Sequence, residues 1–448
     1  MTPASRLPFL LALALAGVSS TAAAGVLPDS TVADAWRLAN GLEVRARHVP
    51  GAQGVAIVLA FRAGTRYEPP RREGSAELLA ELEFTAPAGD VPARGRDEMP
   101  SLRPLGWNLR TNEQLVVLTE IASREQFPGV LRQVATRLRG VTVTPEAFQG
   151  ALATVRRDLA AHAFGRADFG LYHRARDLAL GIADPELIRR ASGQGLDSLS
   201  SAEAQARLAA IYVPANASLA IAGDLSGVSV RELIEHEFGG IPGGAPVPAR
   251  RDPRLVAAVR TATWPGLAHP CGVVAVIAPA LDDSLHPAFY LGSLAIGGWF
   301  RDQLGAPVPP LTSRFQYSLL DEPDLVRLYP DPAPGATTPA SLVSDVDKGL
   351  DQLGETEMER SMLEVLRASV DWLIGGPLPP TVREQMRDRA GALGTLAGSM
   401  ATRALWRGDA FWDLYRRRFE TTLIGHNSFV KWMADPSHQV ALLFVPGH

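Results

Sequence analysis

The chain has 448 residues, 46% hydrophobic and 21% charged, with a formal net charge of −4. At roughly 100–200 residues per domain, that length predicts two or three domains, and the composition excludes wholesale disorder. The near-neutral balance leaves no basic footprint for nucleic acid, and the single cysteine, Cys271, excludes an intrachain disulfide and a cysteine-based zinc site.

The opening of the chain, residues 1–24, reads as a secretory signal. Arg6 precedes an apolar run from Leu7 to Val18, and small residues then end in an Ala-x-Ala site at Ala22-Ala23-Ala24. The apolar run falls short of the about 20 residues that a membrane span needs. The expectation is an exported, periplasmic protein that starts at Gly25 after cleavage.

Short strands and longer amphipathic helices then alternate. Leu42 to His48 alternates apolar and polar residues, and Val55 to Phe61 is a continuous apolar run. The Pro50-Gly51-Ala52-Gln53-Gly54 segment between them reads as a hairpin connection. Glu73 to Phe84 has helical composition, and Gln114 to Ile121 reads as a strand. Ser123 to Leu138 and Pro145 to Phe164 read as helices. Ser200-Ser201-Ala202-Glu203 is a capping box that opens a helix running to Tyr212. A strand over Ala217 to Ala222 and a helix over Ser229 to Phe238 follow.

Glycine, proline and arginine then dominate, and a linker is placed at 243–256. Beyond it a similar order returns. Strands are expected at Gly272 to Ala278, Phe315 to Leu320, Leu325 to Leu328 and Val440 to Val445. Helices are expected after His286 and over Ser341 to Leu353, Glu355 to Leu373 and Thr381 to Leu396. The pattern suggests an internal duplication with halves at 25–242 and 257–448. The fold class expected is α+β, with each half an antiparallel sheet that has helices packed on one face.

Several stretches carry a resemblance. Leu38-Ala39-Asn40-Gly41-Leu42-Glu43-Val44 and Phe61-Arg62-Ala63-Gly64-Thr65-Arg66-Tyr67-Glu68-Pro69-Pro70 come first. Tyr212-Val213-Pro214-Ala215-Asn216-Ala217-Ser218-Leu219-Ala220-Ile221-Ala222-Gly223-Asp224 and Phe238-Gly239-Gly240-Ile241-Pro242 follow. In this order they resemble the insulinase/pitrilysin family of zinc peptidases. Active members carry His-x-x-Glu-His on their first helix, in which two histidines bind zinc and the glutamate serves as general base. At that place this chain has Glu77 and Glu81 at the ligand positions and Ala80 at the base position, with Asp158 at the distal acidic position.

Carboxylates in place of imidazoles shift metal preference from zinc toward harder cations. Ala80 cannot accept a proton, which alone forfeits about 10²–10⁴ in rate. Glu77, Glu81 and Asp158, with His162 a turn further on, are a conceivable metal cluster. The reading preferred is that the carboxylates are solvated or paired with Arg156 or Arg157. Glu232-Leu233-Ile234-Glu235-His236 resembles the lost motif but reads as a solvated helical face, and Cys271, beside His269, reads as a buried structural thiol.

In the second half, the resemblance implies a Tyr and an Arg that hydrogen-bond the substrate. Tyr317 is the candidate tyrosine, with Arg314 or Arg301 as the arginine. The resemblance further implies a particle of four such halves, of which this chain supplies two. The reading is therefore a non-catalytic subunit that binds no metal itself and pairs with a zinc-bearing subunit to help bind peptide. A working peptidase with a carboxylate metal site, and a peptide-binding scaffold without a peptidase partner, are the alternatives.

Overall fold

The computed structural model describes residues 33–161, 167–182, 192–248, 254–264, 267–303, 315–330, 338–354, 360–422 and 428–447. The expected signal segment, His162 and Arg314 lie outside them. Strands form where short runs rich in Val, Ile, Leu and Ala meet turn residues. The first half contributes β1 (Asp34–Arg37), β2 (Glu43–His48), β3 (Val55–Phe61), β4 (Trp107–Thr111), β5 (Val116–Ala122) and β6 (Ala217–Gly223). The second contributes β7 (Ala258–Trp264), β8 (Cys271–Ile277), β9 (Phe315–Ser318), β10 (Glu322–Leu328) and β11 (Gln439–Pro446).

These strands build two sheets, ordered β1-β2-β6-β3-β5-β4 and β7-β11-β8-β10-β9. Taken in chain order, β2 to β6 and β7 to β11 hold the same places in the two sheets. The internal duplication is thus visible strand for strand, with β1 added at one edge. Each sheet is mixed rather than purely antiparallel, because β2 runs parallel to β6 and β7 parallel to β11.

The expected hairpin between β2 and β3 does not form. β6 lies between them and pairs with both. The connection arches over the end of β6, where the Val49 amide donates to the Gly223 carbonyl at 2.8 Å. Glycine is required on this arch: a Cβ at Gly54 would lie 2.6 Å from the Ala122 carbonyl oxygen.

Apart from a single turn at Met99–Leu102, the helices of the first half are α1 (Ser75–Thr85), α2 (Phe127–Arg139), α3 (Pro145–Ala160), α4 (Ala167–Ala179), α5 (Ser201–Ile211) and α6 (Val230–Phe238). Those of the second are α7 (His286–Gln303), α8 (Pro339–Gly354), α9 (Arg360–Asp371), α10 (Pro380–Asp388), α11 (Ala390–Leu405), α12 (Asp409–Thr421) and α13 (Ser428–Ala434). The single helix expected over Thr381 to Leu396 is broken at Arg389, whose backbone is extended at φ −133° and ψ 103°. Among the described residues, no helix is long and apolar enough to cross a membrane.

One face of the first sheet is covered by its own helices, around Ile57, Leu59, Leu82, Phe84, Leu131 and Leu219. The other face is lined by small residues, Ala56, Ala60, Ala220 and Ala222, and is covered by α11 through Leu393, Leu396, Ala397 and Met400. The small side chains let this helix approach closely; a Cβ at Gly394 would meet Thr119 at 3.3 Å. α4 makes the reciprocal move. Its Leu171, Ala175 and Ala179 pack on Val273, Ala275, Leu442 and Phe444 of the second sheet. Each sheet is therefore covered on both faces, one of them by a helix exchanged from the other half. That explains why β3, β5 and β6 are buried along their whole length rather than alternating.

Candidate functional site

The helix at the place of the altered motif, α1, is firmly built at its start. It starts after Gly74, which takes a left-handed φ of +93°. The Glu68 carboxylate then accepts from the amides of Gly74 and Ala76 at 2.8 and 2.9 Å, so an anion sits on the positive end of the helix. Ala80 is fully buried in the core. Trp107 of β4 stacks on Phe84 with ring centroids 5.6 Å apart. β4 is the outer strand of its sheet, and among the described residues no strand pairs with its outer edge.

Glu77 and Glu81 lie one turn apart, yet different groups act on them. Glu77 and Glu83 are the charges that help hold the buried Tyr212 phenol in its neutral form, after burial itself. Glu81, 3% exposed, is held by Arg96 from the loop that follows α1. Arg96 Nε donates to Glu81 Oε2 at 2.8 Å, and its Nη1 donates to Asp158 Oδ2 on α3, also at 2.8 Å. Burial raises the Glu81 carboxyl above its ordinary range, with Arg96 opposing that shift. Asp158 also approaches Arg157 at 3.6 Å, whereas Arg156 turns to Asp197. Glu81 and Asp158 are thus paired, chiefly by Arg96, an arginine other than the expected Arg156 and Arg157.

On the sheet side of α1 is a cavity of about 20 Å³, room for one water molecule. Glu83, Arg94, Glu120 and Arg137 line it. Burial would raise Glu120, but hydrogen bonds from Arg94 (2.6 Å) and Arg103 (2.6 Å) overcome this and hold it low. Glu83 accepts no such bond at Oε1, and burial pushes its carboxyl up to about 8 against the pull of Arg137 and Arg94. Burial likewise pushes Arg137 down to about 10.

Tyr317 lies on β9, with its hydroxyl bonded inward. It donates to the Pro323 carbonyl at 2.7 Å. The Nε2–H of His286 then donates to the Tyr317 oxygen (3.0 Å), and Tyr415 donates to Nδ1 (2.8 Å), which fixes the imidazole tautomer. His286 is fully buried, and burial pushes it down to about 4, so it is neutral. Arg301 falls in the last turn of α7. His236 is 80% exposed beside exposed Glu232 and Glu235, the solvated face that was expected. Cys271 is half-buried at the start of β8 and His269 is exposed.

No family model matches the chain, and no curated protein matches it in sequence. Solved structures match it in shape. A protease from Helicobacter pylori aligns at a TM-score of 0.67 and 16% identity, over 92% of this chain and 99% of that one. An M16 peptidase inactive domain from Pseudomonas fluorescens aligns at 0.57 and 14%, over 93% and 98%. The periplasmic protease PqqL from Escherichia coli aligns at 0.64 and 14%, over 94% of this chain and 48% of PqqL. This chain therefore spans about half the length of PqqL. The fold is that of the M16, or insulinase/pitrilysin-like, peptidases.

The zinc that the M16 resemblance implies for active members does not fit the donors present here. Imidazole is missing from both ligand positions, and the Arg96 guanidinium already engages the Glu81 and Asp158 oxygens. A divalent ion at those oxygens would sit within a few ångströms of a fixed positive charge.

Proposed function

We propose that this chain is an exported, non-catalytic M16 subunit that pairs with a zinc-bearing peptidase subunit and helps bind peptide. One observation carries the reading. The helix that would perform the chemistry is intact in fold, but its general-base position is a buried alanine, Ala80, and its Glu81 carboxylate is neutralised by Arg96. Without a base there is no group to take a proton from an attacking water. The shape shared with an M16 inactive domain and with one half of PqqL supports the subunit reading, and PqqL being a periplasmic protease supports export.

In this reading residues 1–24 are a signal peptide removed after Ala24, and any zinc belongs to the partner. Peptide binds in extended form along the outer edge of β4, beside α1, by strand pairing. Arg301 or Arg314 adds a contact to the peptide. Tyr317 reaches the peptide only when its bond to Pro323 opens, and otherwise braces β9.

The test compares the mature chain alone with the chain co-purified with an M16 subunit that carries His-x-x-Glu-His. Metal content is measured by mass spectrometry, and cleavage with a fluorogenic peptide library. Expected are no zinc and no cleavage for the chain alone, and a rise in the partner's kcat/KM of tenfold or more on mixing. Chelator-sensitive cleavage by the chain alone would overturn the proposal. Tight peptide binding with no effect on any M16 subunit would leave a scaffold instead.

A further inference from the structure

We propose that Arg96 acts as a built-in cation: it makes the tie between α1 and α3 that a metal ion would otherwise make, and so closes the carboxylate pair to divalent ions. Glu81 projects from α1 and is 4% exposed at its side chain, while Asp158 projects from the last turn of α3. A buried carboxylate is costly unless it is paired and hydrogen-bonded. The planar guanidinium spends Nε and Nη2 on Glu81 and Nη1 on Asp158, so one side chain joins two helices.

A lysine in this position would have a single ammonium to share between two carboxylates, without the fork. Two carboxylates with adjoining water suit hard divalent cations such as manganese, magnesium or calcium. What keeps such an ion out is the guanidinium, not the loss of the histidines alone. The inference rests on the non-catalytic reading, and adds to it the residue that keeps the site closed.

The test is Arg96→Met, which preserves length and removes the charge, titrated with MnCl2 and followed by electron paramagnetic resonance and calorimetry. Expected is one manganese ion per chain, bound at least tenfold more tightly than by the wild type. The ion should also restore most of the Tm that R96M loses, while neither MnCl2 nor EDTA shifts the wild-type Tm. Wild-type chain that binds manganese as tightly as R96M, or folded R96M that ignores it, overturns the proposal.

If R96M does not fold without metal, recovery of its native circular dichroism in MnCl2 is the supporting result. The neutral triple variant E81Q/R96M/D158N serves as the control and should fold without metal and ignore it. Failure of R96M to recover in manganese, or failure of the triple variant to fold, shows that Arg96 acts by packing and sinks the proposal. Cleavage by the wild-type chain alone would sink the subunit reading instead, so the two failures are distinguishable.

Discussion

α1 and α7 follow equivalent strands, β3 and β8, in two sheets of the same order, yet the two sites hold their polar groups in opposite ways. Around α1 most of the polar groups are ionic, Glu81 and Asp158 on Arg96 and Glu120 on Arg94 and Arg103, while Glu83 beside them is held protonated by burial. At the start of α7 they are neutral, as the phenols of Tyr317 and Tyr415 and the imidazole of His286 form a closed hydrogen-bonded set. The lesson concerns what duplication constrains. Apolar positions hold each sheet and helix in place, so a polar site can change its chemistry completely while the frame stays the same. The site with a buried carboxylate at a ligand position, Glu81, holds it there with an arginine.

The largest effect is expected where the comparison joins the two halves. Leu393 of α11 belongs to the second half but packs on the first sheet, and it is fully buried. Leu393→Asp removes a buried leucine, worth about 2–5 kcal/mol, and adds the desolvation of a carboxylate. Urea denaturation followed by far-ultraviolet circular dichroism and tryptophan fluorescence should show both halves unfolding at a much lower midpoint, in a single step. Ala175→Asp on α4 should do the same from the other side. Two separate transitions would break the comparison, because each half would then stand without the exchanged helix.

The two sites should also respond to pH in opposite directions. Glu83 titrates near 8 in the folded chain against an ordinary 4.5, so the folded state holds a proton that the unfolded state has lost. Its contribution is greatest below pH 4.5 and is lost as pH rises to 8. His286 titrates near 4 against 6.5, so its contribution is present above pH 6.5 and is lost as pH falls to 4. Each slope is about 1.4 kcal/mol per pH unit, with opposite sign. They should largely cancel between pH 4.5 and 6.5, leaving a decline from 6.5 to 8. Glu83→Gln should remove that decline and expose the acid limb of His286. A stability profile from pH 4 to 8 for both proteins checks this, and an unchanged decline in the variant would show that Glu83 is not its source.

The frame was legible in the sequence wherever a pattern was local. β3 and β8 are uninterrupted apolar runs, β6 is apolar apart from Ser218, and the stretches that carry the resemblance flank α1 rather than lie on it. Pairing was not legible. The β2–β3 hairpin was misread because β6, distant in sequence, carries the apolar run that fits between them. β4 is hard to read because Trp-Asn-Leu-Arg-Thr, although it alternates, is only five residues long and, as an edge strand, is only partly buried. The exchange of α4 and α11 leaves no local mark, since a helix patterned to cover a sheet does not say which sheet. Ala80, Glu81 and Asp158 were found by position, but Arg96 sits in an unpatterned loop. The clue to it is chemical: two neighbouring carboxylates without a metal need another cation.

The smallest predicted effects separate local from tertiary encoding. Thr144 and Ser200 cap α3 and α5, accepting from the amides of Ala147 and Glu203 at 3.1 Å each. The Glu203 side chain reaches Arg72 instead of closing the capping box, so the cap is a single bond. In the second half, α10, α11 and α12 start without any side-chain cap bond. Thr144→Ala and Ser200→Ala should each cost about 1 kcal/mol, read as a fall in Tm. Arg389 precedes α11 with an extended backbone suited to a cap, so Arg389→Asp should gain about 0.5–1 kcal/mol. No gain there would mean that the exchanged helix is already held at its start by packing on the first sheet, and that its stability is set by the other half rather than by its own sequence.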